Sequence, residues 1–174
     1  RLFFALWPAA AIADELHAAA RAAHVSCGGR LMRRETLHIT LAFLGDVPES
    51  RFADVLAVAT GATAPAFLLE LDRLGHWPHN RIVWAGCTAA PAALPTLADD
   101  LAQGLRAAGF RLDDRPYAAH ATLLRNAECR SGAPPLTNPI RWAVEDFALV
   151  ESHRGADGSR YEVLRRWPLA AAID

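Results

Sequence analysis

Two short stretches of this chain repeat one pattern: "LHITLAFLG" at residues 37–45 and "AHATLLRNA" at residues 119–127. Each carries histidine, one residue, threonine and leucine, and the two histidines stand 82 positions apart. In an extended strand, side chains two residues apart share a face. His38 therefore shares a face with Thr40, and His120 with Thr122. Leu37, Ile39, Leu41 and Phe43 are expected to point the other way, into a core, as are Ala121 and Leu123. Polar pairs on one face and an apolar row on the other suit a strand that lines a groove while anchored in a core. Each half also places a helix before its motif strand. Two such halves can pack about a pseudo-twofold axis with the histidines facing each other.

The rest of the chain supplies alternating elements. "RLFFALW" (1–7) reads as a strand, and residues 9–24 as an Ala-rich helix. The apolar start is broken by Pro8 and flows into that helix, so strand, turn and helix are expected here rather than a leader peptide. "ETLHITLAFLG" (35–45) is a strand. A turn and helix follow, with Pro48 at the first turn, where proline is tolerated. "PAFLLELDRLGHW" (65–77) and "RIVWAGC" (81–87) read as two strands. A helix from about residue 93 is closed by Gly109. The last strands are "IRWAVEDFALVES" and "RYEVLRRWPLA", joined at "HRGADGS", whose glycines and aspartate suit a hairpin. The order predicts an α+β fold: a two-lobed, pseudo-twofold arrangement of antiparallel sheets with outer helices around a central groove, in a single domain over 1–174.

Composition narrows the function. The chain is 52% hydrophobic and 21% charged, with net charge −1, and all of its basic residues are arginine. Such a balance does not hold long nucleic acid by charge alone. A short anionic ligand gripped by a few arginines fits it, because the guanidinium binds phosphate in bidentate fashion. No GxGxxG or P-loop pattern is present, and no apolar run is long enough to span a membrane. Cys27, Cys87 and Cys129 are odd in number and widely spaced, so unpaired thiols in a reducing cytoplasm are expected, with no structural zinc.

Paired histidines suit phosphoryl transfer. Nucleophile and leaving group lie roughly in line through phosphorus, so a base is needed on one side and an acid on the other. Histidine serves both roles near neutral pH. Threonine hydroxyls can donate hydrogen bonds to the non-bridging oxygens, and Arg125, just past the second motif, can add positive charge. Arg125 stands five residues after His120, so strict alternation turns it away; only a strand end or a bulge brings it to the groove. We read His120 as the base and His38 as the acid, although the motif is symmetric and the roles can exchange.

Other residues read more plainly. His17, His24, His76, His79 and His153 have no metal-like partner at the i+2 or i+4 spacing and are expected at the surface. Asp113 and Asp114 are adjacent in a loop and read as a turn, and Glu151 as solvated. Phe43, Trp77 and Tyr161 are candidates for stacking on a base, Phe43 foremost because it follows the first motif. Arg33, Arg34, Arg81 and Arg115 are candidates for guiding RNA.

A wider pattern adds to this. "RLFFAL", "TLHITLAFLGDV", "LDRLGHWPHNRIVWAG", "RPYAAHATLLR" and "FALVESHRGADGSRYEVLRRWPL" together resemble the bacterial RNA 2',3'-cyclic phosphodiesterases of the two-histidine phosphoesterase superfamily, first named 2'-5' RNA ligases. The resemblance runs over residues 1–169. It implies a two-lobed α+β fold with a central groove, and chemistry without a metal or other cofactor. It assigns catalysis to His38 and His120 and phosphate binding to Thr40, Thr122 and Arg125. It implies opening of the cyclic end to a 2'-phosphate, with reversible joining of 2'-5' linkages. The expected substrates are RNA ends or short oligonucleotides carrying a 2',3'-cyclic phosphate, and the expected protein is a cytoplasmic monomer with no membrane partner. Ala121 departs from the larger apolar residues common at that position, which touches core packing more than chemistry. A non-catalytic module holding a nucleotide or RNA end, and a phosphoesterase for a small cyclic nucleotide, are the alternatives.

Overall fold

A computed structural model describes residues 1–156 and 158–171. Asp157, within the expected hairpin turn, lies outside them. The described residues form three α-helices and ten strands, all paired antiparallel within sheets. The strands are β1 (Leu2–Leu6), β2 (Arg30–Leu31), β3 (Ile39–Gly45), β4 (Phe67–Leu71), β5 (Arg73–Trp77), β6 (Ile82–Gly86), β7 (Ala121–Arg125), β8 (Ile140–Val144), β9 (Asp146–Gly155) and β10 (Gly158–Pro168). The helices are α1 (Ala10–Cys27), α2 (Phe52–Gly61) and α3 (Ala93–Ala107).

One large sheet runs β10-β9-β1-β3-β7-β6-β5, with β2 added against β7, and β4 pairs with β8 in a second, two-stranded sheet. The two halves are thus continuous through β3 and β7, the strands of the two motifs. Every residue of β1 is buried, as expected for a central strand covered on both faces. Leu2, Phe4 and Leu6 join the main core on one side, whereas Phe3 and Ala5 join a smaller cluster with Ala148 and Val150 on the other. The helices cover the first side. α1 turns Ala13, Leu16, Ala20 and Ala23 inward, and α3 turns Leu94, Leu97, Leu101 and Leu105 inward, each a stripe at helical spacing. Gly109, at φ 86°, closes α3 with the left-handed residue that favours glycine.

Two strands expected to be continuous are divided. Residues 65–77 break at Asp72, whose carboxylate accepts from the Thr88 backbone N–H at 2.7 Å and from its hydroxyl at 3.1 Å. The stretch from Ile140 breaks at Glu145, whose carbonyl accepts from Leu169 N–H at 2.8 Å. In each case the first half leaves for the small sheet, as β4 or β8, and the second half joins the large one.

The expectation of unpaired cysteines is corrected. Cys27 and Cys129 form a disulfide across 102 residues, while Cys87 is free. The C-terminal end of α1 lies against the segment after β7, where Glu128 N–H donates to Cys27 O at 2.9 Å. That proximity is tertiary and leaves no mark in the spacing. No helix among the described residues is long and apolar enough to cross a membrane.

Candidate active site

β3 and β7 touch through one ladder position, Ile39 opposite Ala121. These are the middle residues of the two His-x-Thr motifs. Continuing that antiparallel register by one residue in each direction sets His38 across from Thr122 and Thr40 across from His120. The local twofold therefore passes between the two motifs and presents each histidine beside the other motif's threonine. All four side chains line one cavity of about 510 Å³ on the sheet face opposite the helices.

Both histidines stand one residue before their strands, and both are fixed in the same way. His38 Nδ1 donates to the carbonyl of Thr36, and His120 Nδ1 to the carbonyl of Ala118, each at 2.7 Å. A carbonyl only accepts, so the proton of a neutral ring sits on Nδ1, and Nε2 carries the free lone pair. Neither the Thr40 nor the Thr122 hydroxyl is hydrogen-bonded to a described residue, which leaves both available to a ligand.

The two rings differ in enclosure. His38 stacks on Trp7 at 5.2 Å and 12°, and also packs on Phe3 at 4.9 Å and Tyr161 at 5.4 Å. His120 meets Trp77 edge-on at 4.6 Å. Burial holds the pKa of His38 down at about 4, and the neighbouring His120 and Arg125 push the same way. Burial also lowers the pKa of His120, again helped by Arg125.

Arg125 does line the cavity. In the β6–β7 ladder Trp84 pairs with Thr122 and Val83 with Leu124, so Leu123 is an extra residue. Leu123 and Leu124 are consequently both buried, and the alternation restarts one residue late, with Arg125 on the groove face. Asn126, in the left-handed region at φ 54°, then ends the strand.

A matching bulge corrects the expectation that Phe43 faces the core. In the β1–β3 ladder Ala5 pairs with Thr40 and Phe4 with Ala42, which leaves Leu41 extra. Leu41 and Ala42 are both buried, and Phe43 emerges 44% exposed in the groove, 6.5 Å from Phe3 with the Arg1 guanidinium over its ring.

The remaining candidates divide. Trp77 and Tyr161 line the groove, each against one histidine. Arg115 reaches the cavity but is bound to Asp113. Arg34 is paired with Asp14, and Arg81 with Glu128. Asp113 and Asp114 do not converge: the first holds Arg115 and the second faces Arg106. His17 and His76 are half-buried rather than at the surface, His76 Nε2 lying 3.3 Å from Ala127 O. His153 does have carboxylate neighbours. It lies 3.4 Å from Glu151 and 4.0 Å from Glu162 on the paired strand, and the three could hold a metal ion. Ser152 and Arg154 line the groove, so alternation turns this cluster to the far side of β9. Sequence reasoning missed Phe3, Trp7 and Arg154: β1 beside β3 sets Phe3, and Trp7 just past the strand's end, against His38, and β9 beside β1 brings Arg154 to the groove.

The chain belongs to the LigT-like phosphoesterase family. The pattern described as "LigT like Phosphoesterase" matches residues 6–84, and a relative 36% identical over 171 residues covers 97% of the chain. That relative is the RNA 2',3'-cyclic phosphodiesterase of Escherichia coli K12, of which 96% is covered. The RNA 2',3'-cyclic phosphodiesterase of Thermus thermophilus is 31% identical over 188 residues, covering 97% of this chain and 90% of that protein. The crystal structure of E. coli LigT complexed with 3'-AMP shares the α+β fold with a TM-score of 0.90 and 34% identity, over 97% of each chain.

Proposed function

We propose that this protein hydrolyses the 2',3'-cyclic phosphate end of RNA to a 2'-phosphate, acting as a single-domain monomer in the cytoplasm. The observation that carries the reading is the matched fixing of His38 and His120 by backbone carbonyls, which offers two Nε2 atoms to one cavity. One neutral imidazole takes a proton from water as the water oxygen bonds to phosphorus. The other, protonated, gives its proton to the 3'-oxygen as the P–O3' bond breaks. The 2'-oxygen keeps the phosphate, and the protons return through solvent. Thr40 and Thr122 donate to the non-bridging oxygens, and Arg125 offsets the charge that builds there. With a 5'-hydroxyl attacking in place of water, the same groups acting in the same direction join a 2'-5' linkage, and the reverse of that step cleaves it back to the cyclic phosphate and a 5'-hydroxyl.

Enclosure supports the exchange of the roles assigned from sequence. His38, under three aromatic rings and held at about 4, is neutral at pH 7 and suited to be the base. His120, with one ring against it, is the easier to protonate and suited to be the acid. Acid–base catalysis of this kind contributes roughly 10²–10⁴-fold. His38→Ala and His120→Ala should each lose about that factor on a cyclic-phosphate dinucleotide in EDTA, with 2'-phosphate as the wild-type product. Full turnover by either folded variant, or a 3'-phosphate product, contradicts the reading.

A further inference from the structure

The groove opens at both ends, and the ends differ in charge. Beyond Trp77 it widens into a cavity lined by Asp99, Asp113 and Asp114, where Arg115 and Arg106 are already held by Asp113 and Asp114. At the other end it continues into a cleft of about 450 Å³ lined by Arg30, Arg33, Arg125 and Arg154, with no carboxylate among the described lining residues. Arg125 and Arg154 line both this cleft and the histidine cavity, so the two are continuous.

The construction of the cleft brings like charges together. β2 pairs with the end of β7 so that Arg30 stands directly across from Arg125. Cross-strand neighbours of like charge repel. Gly29, at φ 83°, allows the approach, because a Cβ there would lie 2.6 Å from Arg125 O. Neither Arg30 nor Arg154 forms an ion pair with a described residue. Arg33 bridges the cleft, donating to Ser159 O at 2.6 Å, and so ties the segment after β2 to the start of β10. The Arg30 guanidinium reaches the same hairpin beside Gly158. Two strands of different halves thus hold arginines face to face around a space that suits an anion.

We propose that this cleft is a subsite for the internucleotide phosphates of the RNA that carries the cyclic end, so that the strand leads away from the histidines past Arg125, Arg30 and Arg154. A nucleotide ending in a 2',3'-cyclic phosphate joins the rest of its RNA only through its 5'-oxygen. Its next phosphate must therefore leave by one end of the groove, and the other end offers it two arginines already paired with aspartates and, in Asp99, a carboxylate with no ion pair among the described residues. The preferred substrate is then an oligonucleotide rather than a mononucleotide. This rests on the catalytic reading above only for the placement of the cyclic end between the histidines.

The test is binding of a 5'-fluorescein RNA tetramer ending in a 2'-phosphate, followed by anisotropy. A second tetramer carries a neutral methylphosphonate at the linkage next to that end. The native tetramer should bind wild type about tenfold tighter or more, as expected for loss of one charge-assisted contact. R30A/R154A should bind the two alike, with a shallower dependence on salt. Equal binding of the two tetramers by wild type overturns the proposal without any variant having to fold. Hydrolysis of 2',3'-cyclic AMP is measured separately. Turnover with equal tetramer binding overturns the subsite alone, whereas charge-dependent binding without turnover of any cyclic end overturns the catalytic reading and supports the cleft.

Discussion

Phe43 and Arg125 occupy equivalent positions in the two halves of the groove. Each stands five residues after its motif's histidine, and each is returned to the groove face by a bulge at the leucine that follows the threonine. The repeated unit is therefore His-x-Thr-Leu with the leucine as the inserted residue. The shared backbone device delivers different chemistry, an aromatic face in one half and a guanidinium in the other.

That difference separates two variants. Arg125→Ala should lower kcat, because its charge is needed most where charge develops on phosphate, by roughly 10²-fold. Phe43→Ala should mainly raise KM, since base stacking is worth about 1–3 kcal/mol and acts on bound substrate and transition state alike. Steady-state kinetics on a cyclic-phosphate dinucleotide decides; a KM effect from Arg125→Ala with kcat intact would reassign it to ground-state binding.

The motifs were legible in sequence because His-x-Thr needs only local alternation, but the bulges were not. Leu41–Ala42 and Leu123–Leu124 are apolar pairs, and an apolar pair looks the same whether alternation holds or slips by one. Strict alternation therefore misplaced Phe43 and left Arg125 dependent on a strand end or a bulge. The divisions at Asp72 and Glu145 were hidden for a similar reason: one polar residue in a long strand pattern does not say that the two halves join different sheets. The Cys27–Cys129 pair depends on a contact across 102 residues, beyond any local pattern.

The pH profile follows from the two imidazoles. With His38 as base, kcat/KM should rise with pH through about 4, where His38 loses its proton. With His120 as acid, it should fall again through a pKa below the ordinary 6.5, since that ring is also pushed down. The optimum is thus expected on the acid side of 6.5. His38→Ala should remove the acidic limb from the residual activity and keep the alkaline one. Loss of the alkaline limb instead would return the base role to His120.

His38 also links stability to pH. The unfolded ring titrates near 6.5 and the folded one near 4, so between those values the unfolded chain binds more protons. Stability from this group is complete above 6.5 and is lost as pH falls towards 4. The loss amounts to about 3 kcal/mol, at roughly 1.4 kcal/mol per pH unit. Urea unfolding at pH 7 and pH 4.5 should show a drop in wild type that is reduced in His38→Gln. An equal drop in both proteins would place the cause elsewhere.

The disulfide makes a prediction of its own. Closing a loop of 102 residues contributes about 4–5 kcal/mol in the chain-entropy account. At roughly 2–4 °C per kcal/mol for a chain of this size, Cys27→Ser or a reductant should lower Tm by about 10–15 °C. Cys87→Ser should leave the response to reductant unchanged. A wild-type Tm indifferent to reductant would mean that Cys27 and Cys129 act as separate thiols.

His120 is held by a chain of contacts that starts at a glycine. A Cβ at Gly75 would lie 2.1 Å from Trp84 Cζ2 and 2.3 Å from Cε2, inside a rigid ring that cannot yield locally. Trp84 packs on Trp77 at 5.2 Å, and Trp77 meets His120 at 4.6 Å. Gly75→Ala must therefore shift Trp84, then Trp77, then the imidazole. A misplacement of about 1 Å at a reacting group can cost roughly 10²-fold, so kcat should fall with KM little changed, accompanied by an altered near-ultraviolet circular dichroism from the tryptophans. Gly104→Ala supplies the comparison. Its Cβ would meet Val58 Cγ1 at 2.8 Å between α3 and α2, away from the groove, and should lower Tm without touching kcat. Equal kcat in wild type and a folded Gly75→Ala variant would show that Trp77 does not position His120.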